Sequence, residues 1–120
     1  MVQVRIKRVY EEDSETDGYR VLGDKLWPRG IKKECLRYDY WAKDITPSAM
    51  LRQWFHEDIP GHWNDFVVLY QKELETSPAM ADFLSLIKPY PVVTLIYASK
   101  ELIYNHARIL RDYLETHLKE

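Results

Sequence analysis

The sequence predicts an α/β fold, in which a single compact domain has a small, largely parallel sheet flanked by helices. Three observations support this. Residues 2–7 alternate apolar and polar side chains, from residue 47 onward apolar residues recur at helical spacing, and residues 92–98 (VVTLIYA) form an unbroken apolar run. Such a short apolar run is typical of a strand covered on both faces, as in the centre of a parallel sheet. With 46% hydrophobic residues, the 120-residue chain has enough apolar side chains for one core, and we predict one domain over 1–120.

The first 46 residues predict strands. The alternation over residues 2–7 indicates a half-buried strand. Residues 19–26 favour a second strand that ends near Asp24, because Pro28 lacks the N–H group that a continuing ladder needs. Residues 36–41 predict a possible third, short strand.

Four helices are predicted from residue 47 onward. Pro47 opens a short helix, Gly61 precedes a longer one, and Ser77 with the proline after it opens a third. Ser99 is predicted to cap a last helix over about 100–118. The residues expected on the inner face of that helix are Ile103, His106, Ala107, Leu110 and Leu114.

The order of these elements favours a parallel sheet in which the central helices form the crossover between strands. The acidic segment 11–18 (EEDSETDG) is typical of a solvated loop. If that loop instead closed a hairpin between the first two strands, the fold would be α+β.

Composition excludes several classes of protein. Seventeen Lys and Arg against nineteen Asp and Glu give a formal charge of −2, which excludes nucleic-acid binding by net charge alone. Cys35 is the single cysteine, so neither an intrachain disulfide nor a cysteine zinc cluster can form, and we predict neither a metal nor a cofactor. No stretch approaches the roughly 18 apolar residues of a membrane span. We therefore expect a cytoplasmic protein with no membrane partner.

Candidate site residues follow the predicted strands. Asp24, Trp27 and Arg29 come after the second strand, where Arg29 could bind an anion, Asp24 could orient it, and Trp27 could form a stacking wall. The alternative is a salt bridge that holds the loop. Lys43 and Asp44 come after the third predicted strand, and their alternative is a solvated surface pair.

The end of the apolar strand carries the remaining candidates. Tyr97, Ser99 and Lys100 join that strand to the predicted last helix, whose N-terminus would favour an anion. Ser99 could instead cap the helix itself. His106 lies on the apolar face, where a hydrogen-bonded core histidine is the alternative to a proton-transfer group. Arg52, on the short helix, could reach the same region.

Because ligands bind outside the carboxyl ends of parallel strands, these positions are expected to converge on one cleft. In particular, Arg29 and Lys100 should be separated by less than the width of a small ligand, with Asp24 between or beside them. The predicted catalytic candidates are Asp24, Asp44 and His106. The predicted ligand-binding candidates are Trp27, Arg29, Lys43, Arg52, Tyr97, Ser99 and Lys100.

Four segments carry a resemblance to a known family: DGYRVLGDKLWPRGIKKE, DYWAKDITPS, LRQWFHED and VVTLIYASKELIYNHARIL. In order and spacing they resemble the YeaO-like branch of domain-of-unknown-function family 488, over nearly the whole chain. The resemblance implies a compact α/β domain in a family with no settled activity. Its family-typical positions are Asp24, Trp27, Pro28, Arg29, Gly30, Asp39, Trp41, Lys43, Asp44, Pro47, Trp54, Phe55, Tyr97, Lys100, Asn105 and His106.

The leading hypothesis is a pocket protein, with or without catalysis, that takes a small phosphorylated or carboxylated compound. Arg29, Lys43 and Lys100 would hold the anion, while Asp24 or Asp44 and His106 would transfer protons. Two alternatives stay open. One is a nucleic-acid-binding or regulatory module that uses the WPRG loop and a basic face of Arg5, Lys7 and Arg8. The other is a protein-interaction domain with an aromatic patch formed by Tyr38, Tyr40 and Trp41.

Overall fold

The computed structural model describes residues 2–118, which form one parallel β-sheet packed against α-helices. The strands are β1 (Gln3–Arg8), β2 (Tyr19–Leu22), β3 (Tyr40–Trp41) and β4 (Val92–Tyr97), and they lie in the spatial order β1-β4-β2-β3. The helices are α1 (Ala49–Glu57), α2 (Ile59–Thr76), α3 (Pro78–Ile87) and α4 (His106–His117). The predicted α/β class is confirmed. The hairpin alternative is wrong, because β4 lies between β1 and β2.

Strand β4 lies inside the sheet, as its apolar sequence predicts. It pairs in parallel with β1 on one side and with β2 on the other. Its residues from Val93 to Tyr97 are all buried. A strand covered on both faces has no polar side to alternate with, which is why its sequence shows no period of two.

The two faces of the sheet are covered differently. Val21, Val93 and Leu95 belong to one apolar cluster with residues of all four helices. Leu22 and Ile96, one position further along their strands, point to the other face and pack with residues of the connecting segments. Those connections, 9–18 and 23–39, contain no α-helix. Each returns the chain from the carboxyl edge of the sheet to its amino edge, so side chains of the connections cover the second face.

A charged cluster occupies the amino-terminal end of that second face. Arg20 is 1% exposed, and its guanidinium pairs with Asp17, which also bonds Lys7 Nζ at 3.2 Å. Burial acts to raise the pKa of Asp17, but the Ser14 N–H, Lys7 and Arg20 outweigh burial and lower it below its ordinary value. The charged groups of this cluster bond one another and the backbone within the domain, so the cluster offers no free group for a ligand.

Several element boundaries differ from those predicted. Strand β2 ends at Leu22 rather than near Asp24, and the third strand is only Tyr40–Trp41 instead of 36–41. The longer helix begins before Gly61, because Asp58 is its N-cap and accepts the Gly61 N–H at 3.2 Å. Short edge strands have one neighbour and are shortened more easily than their propensity suggests.

The last helix begins at His106, not near residue 100. Asn105 is its N-cap, and the Asn105 side chain accepts the Arg108 N–H at 3.0 Å. The segment from Ala98 to Asn105 is therefore a loop. Ile103, which the helical pattern placed on an inner face, is 59% exposed in that loop.

Candidate functional site

A cleft of about 460 Å³ opens at the carboxyl edge of the sheet. Its walls are the loops that follow β2 and β4, the first residue of α4 and one side of α1, with further contributions from Tyr10 after β1, from Thr46 and Pro47 before α1, and from α2. The position agrees with the rule that ligands of parallel sheets bind beyond the carboxyl ends of the strands. The charged and polar residues of the lining include Tyr10, Asp24, Lys25, Arg29, Arg52, His56, Ser99, Lys100, Glu101, Tyr104, Asn105 and His106.

The cleft brings together most of the positions that the sequence singled out. The predicted site residues that line it are Asp24, Trp27, Arg29, Arg52, Ser99, Lys100 and His106. Arg29, Lys100 and Asp24 thus share one cavity, although in the sequence Lys100 is 71 residues from Arg29 and 76 residues from Asp24. The parallel sheet is what joins them, because it places the ends of β2 and β4 side by side.

Lys43, Asp44 and Tyr97 lie outside this lining. Lys43 and Asp44 are exposed in a short 3₁₀ turn after β3, with Lys43 Nζ 4.9 Å from the centre of the Trp41 ring. The chain after β3 reaches the cleft only at Thr46 and Pro47, two residues beyond Asp44. Tyr97, the last residue of β4, is buried and 3% exposed.

Asp24 connects the two loops of the cleft. Its Oδ2 atom accepts the Ala98 N–H at 2.8 Å, and its Oδ1 atom lies 3.5 Å from His106 Nε2. His106 Nε2 is also 2.6 Å from the Gly23 carbonyl oxygen. Because a carbonyl only accepts, Nε2 must carry a hydrogen and donate it to Gly23. The histidine is thereby oriented by the backbone at the end of β2.

Burial raises the pKa of Asp24 above its ordinary value. His106, the Ala98 N–H and Arg52 act in the opposite direction but do not cancel the effect of burial. A carboxyl group shielded from water in this way is common at functional sites, since its electrostatic interactions with a ligand are stronger than in water.

Arg52 is the cationic residue that α1 places in the cleft. Its Nε atom is buried and has no hydrogen-bond partner within residues 2–118. Buried polar atoms are nearly always hydrogen-bonded, and a buried charged group without a partner is costly. By contrast, the buried guanidinium of Arg20 bonds both Asp17 and the Arg37 carbonyl. The Arg52 side chain as a whole is only partly buried and lines the cleft, so a ligand there could supply the acceptor that the domain does not.

Side chains from β1 and α4 hold the loop from Ala98 to Asn105 in place. Arg8 donates to the Ser99 carbonyl at 3.0 Å and to the Ala98 carbonyl at 3.1 Å. Asn105, which is 2% exposed, donates to the Glu101 carbonyl at 2.8 Å. The cleft wall is thus fixed by internal hydrogen bonds before any ligand binds.

Several lining residues, among them Tyr10, Lys25 and Tyr104, are not among the site residues that the sequence predicts. Tyr10 follows the end of β1, and its hydroxyl donates to the Arg29 carbonyl at 3.1 Å. The same strand-end rule applied to the first strand would have found Tyr10. Tyr104 carries no such signal, because the helical pattern places it inside the predicted last helix.

With Lys25 included, the cleft carries more positive than negative side chains. The cationic residues of the lining are Lys25, Arg29, Arg52 and Lys100, and the carboxylates are Asp24 and Glu101. Across residues 2–118, no group of three or more His, Cys, Asp or Glu side chains is placed to hold a metal ion. Nor does this part of the chain contain a helix both long and apolar enough to span a bilayer.

Comparison with known proteins establishes the family. A family model described as "Inactive DUF488-N3 subclade" matches residues 3–120. The chain belongs to the domain-of-unknown-function 488 family. Uncharacterized protein YeaO of Escherichia coli is 40% identical over 115 residues, which cover 96% of this chain and 99% of that protein. Uncharacterized protein Rv3073c of Mycobacterium tuberculosis and Mb3100c of Mycobacterium bovis are each 40% identical over 112 residues, or 93% of either chain.

The predicted resemblance to the YeaO-like branch of family 488 is confirmed by these matches. No solved structure gives a significant match to this family member.

Proposed function

We propose that the cleft binds a small phosphorylated or carboxylated molecule, with Arg52 as its main charged contact. The observation that carries the proposal is the buried Nε atom of Arg52, which has no partner within residues 2–118. A planar guanidinium matches the paired oxygens of a phosphate or carboxylate, and such charge-assisted hydrogen bonds are the stronger kind. The surplus of cationic side chains around the cleft supports an anion over a cation.

Arg29 and Lys100 have a second role in this proposal. Both are exposed and line the cleft, Arg29 on the loop after β2 and Lys100 on the loop after β4. Exposed cations contribute little to the final affinity, because water and salt screen them. They instead raise the local concentration of anions and hence the rate of association.

The proposed activity is binding without turnover. The description of the matching family model as an inactive subclade supports this choice. In addition, the Nε2–H group of His106 is bonded to the Gly23 carbonyl, which favours a positioning role over proton transfer at that atom. Asp44, the other catalytic candidate, is exposed outside the cleft.

The alternatives receive less support from the contacts. Of the basic side chains proposed for a nucleic-acid face, Lys7 bonds Asp17 and Arg8 bonds two backbone carbonyls. In the aromatic patch, the Trp41 indole donates to the Asp24 carbonyl at 2.6 Å, and Tyr40 stacks on Phe83 with ring centres 5.9 Å apart. These side chains are used within the domain.

The proposal is tested with Arg52→Gln and, as a matched control, Arg111→Gln. Arg111 lies on α4 outside the cleft and pairs with Asp112 at 3.1 Å. Titration calorimetry with inorganic phosphate and with propanoate should show saturable binding of at least one anion to the natural protein. We expect Arg52→Gln to weaken it about tenfold or more, as the loss of a charged hydrogen bond does, and Arg111→Gln to leave it unchanged.

Equal affinity of the natural protein and Arg52→Gln for the anion would overturn the proposal. If NMR showed that an organic anion is chemically altered after incubation with the protein, the protein would be a catalyst, which would contradict binding without turnover.

A further inference from the structure

One oxygen of the Asp24 carboxylate is unused by the domain. Oδ2 accepts the Ala98 N–H, whereas Oδ1 accepts no hydrogen bond within residues 2–118. His106 Nε2 lies 3.5 Å from Oδ1, but its hydrogen is directed to the Gly23 carbonyl. The Asp24 side chain is 15% exposed, and it lines the cleft. A hydrogen-bond donor from a ligand would therefore find an oriented acceptor there.

Asp24 and Arg52 face the same cleft without forming an ion pair with each other. Arg52 is nonetheless near enough for its charge to favour the ionised form of Asp24. Two opposite charges in a shielded cleft would normally form a salt bridge, because each is costly to leave unpaired. The cleft lining therefore contains a cationic donor and a carboxylate acceptor that the domain does not join to each other.

The ligand group that suits Asp24 is an uncharged hydrogen-bond donor. A ligand ammonium group would also bond a carboxylate, but it would meet Lys25, Arg29 and Lys100 in the same lining. Like charges in a cleft repel, so a hydroxyl group suits the site better than an amine. The cleft volume of about 460 Å³ lies within the range of small-molecule sites, roughly 300–1,000 Å³, and exceeds what a simple anion fills.

We infer that the ligand is a hydroxylated phosphate or carboxylate, whose anionic group binds Arg52 and whose hydroxyl group donates to Oδ1 of Asp24. This inference rests on the proposed function and adds the chemical class of the ligand. Asp24 is the specificity-determining residue, since it distinguishes a hydroxylated anion from one that carries only a hydrocarbon chain.

The experiment compares two pairs of probes that differ only in hydroxyl groups. Glycerol 3-phosphate is set against n-propyl phosphate, and glycerate against propanoate, so that the phosphate and carboxylate sources are tested separately. Titration calorimetry at pH 7.5 should show that the natural protein binds the hydroxylated member of at least one pair about tenfold more tightly. The pair that shows binding identifies the anionic group.

Asp24→Asn then tests whether Asp24 is the cause. The asparagine carbonyl can still accept the Ala98 N–H, while its other side becomes an amide donor. We expect the preference within the pair to fall below threefold in Asp24→Asn, with both members still bound. In Arg52→Gln we expect both members to weaken together. Circular dichroism verifies that each variant is folded, and the probe comparison in the natural protein needs no variant at all.

The outcomes separate the two proposals. Equal affinity for both members of a pair, with loss of both in Arg52→Gln, overturns the hydroxyl inference and leaves anion binding intact. A preference that persists unchanged in Asp24→Asn also overturns the role of Asp24. Binding of none of the four probes overturns the proposed function, and the inference with it.

Discussion

At the scale of single residues, the cleft holds two opposite charges, Asp24 and Arg52, that form no ion pair with each other. The buried Nε atom of Arg52 is not paired with Asp24, whereas the buried Asp17 and Arg20 are paired. The sequence singled out Asp24, Arg29 and Lys100 because each follows a strand, and the cleft brings them together. It gave no sign of which arginine would lack a partner, because that depends on contacts across the chain.

The raised pKa of Asp24 predicts a gain in stability from Asp24→Asn. A carboxyl whose folded-state pKa is raised holds its proton more tightly when folded. Its contribution to stability is therefore fully present below the ordinary pKa of about 3.8 and declines as pH rises through the folded-state pKa. At pH 7 we expect Asp24→Asn to unfold about 3 °C higher than the natural protein, and the difference to shrink toward pH 4.

Thermal unfolding followed by circular dichroism between pH 4 and 8 measures this difference. Asp44→Asn, an exposed carboxyl outside the cleft, is the control and should shift unfolding little. If Asp24→Asn were less stable than the natural protein at pH 7, the ionised carboxylate would be stabilising the fold, and the stated direction would be wrong.

At the scale of elements, the boundaries that the sequence misplaced lie next to the cleft. Ser99 does act as a local cap, since its Oγ atom accepts the Glu101 N–H at 3.1 Å, but the turn it forms does not continue into a helix. Asn105 has the better position, because its side chain accepts the Arg108 N–H of α4 and also donates to the Glu101 carbonyl. Sequence patterns rate both residues as N-caps, and only tertiary contacts decide between them.

We therefore expect Asn105→Ala to be far more destabilising than Ser99→Ala. Loss of an N-cap costs about 1–2 kcal/mol, and Asn105 also leaves the Glu101 carbonyl without its donor. Ser99→Ala should cost less than about 0.5 kcal/mol, as changes at partly exposed loop positions usually do. Urea unfolding measures both values. Asn105→Asp keeps the bond to the Arg108 N–H but loses the donor, and should fall between the two.

Similar unfolding free energies for Asn105→Ala and Ser99→Ala would show that the helix start is not fixed by Asn105. In that case the loop would owe its shape to Arg8, which holds the Ala98 and Ser99 carbonyls from β1.

At the scale of the whole molecule, the order of the strands could be predicted only in part. The burial of β4 follows from its sequence, because an unbroken apolar run needs cover on both faces. The position of β4 between β1 and β2 does not follow from its sequence, because the pairing joins residues about 75 to 90 positions apart. The connection 9–18 must then cross the second face of the sheet past β4 before β2 begins, and no local pattern indicates such a path.

Gly18, where that connection enters β2, is the point at which the chain comes closest to the start of β4. It has φ +66°, and a Cβ atom there would overlap the carbonyl oxygen of Val92 at the start of β4. Gly30 in the WPRG loop also has a positive φ, +78°, but a Cβ atom there would meet nothing within 4 Å. Gly30 therefore reports backbone strain alone, whereas Gly18, with φ +66° and ψ −133°, combines backbone strain with the close approach of β4.

We expect Gly30→Ala to cost about 1 kcal/mol of unfolding free energy from backbone strain alone. Gly18→Ala should cost about 3 kcal/mol or more, because backbone atoms of Val92 have to move as well and β2 is pushed away from β4. Urea unfolding of the two variants measures the difference. Equal costs would mean that β2 can shift away from β4 without penalty. The same shift would move Asp24 relative to Ala98, so the cleft would not be held by the packing of the sheet.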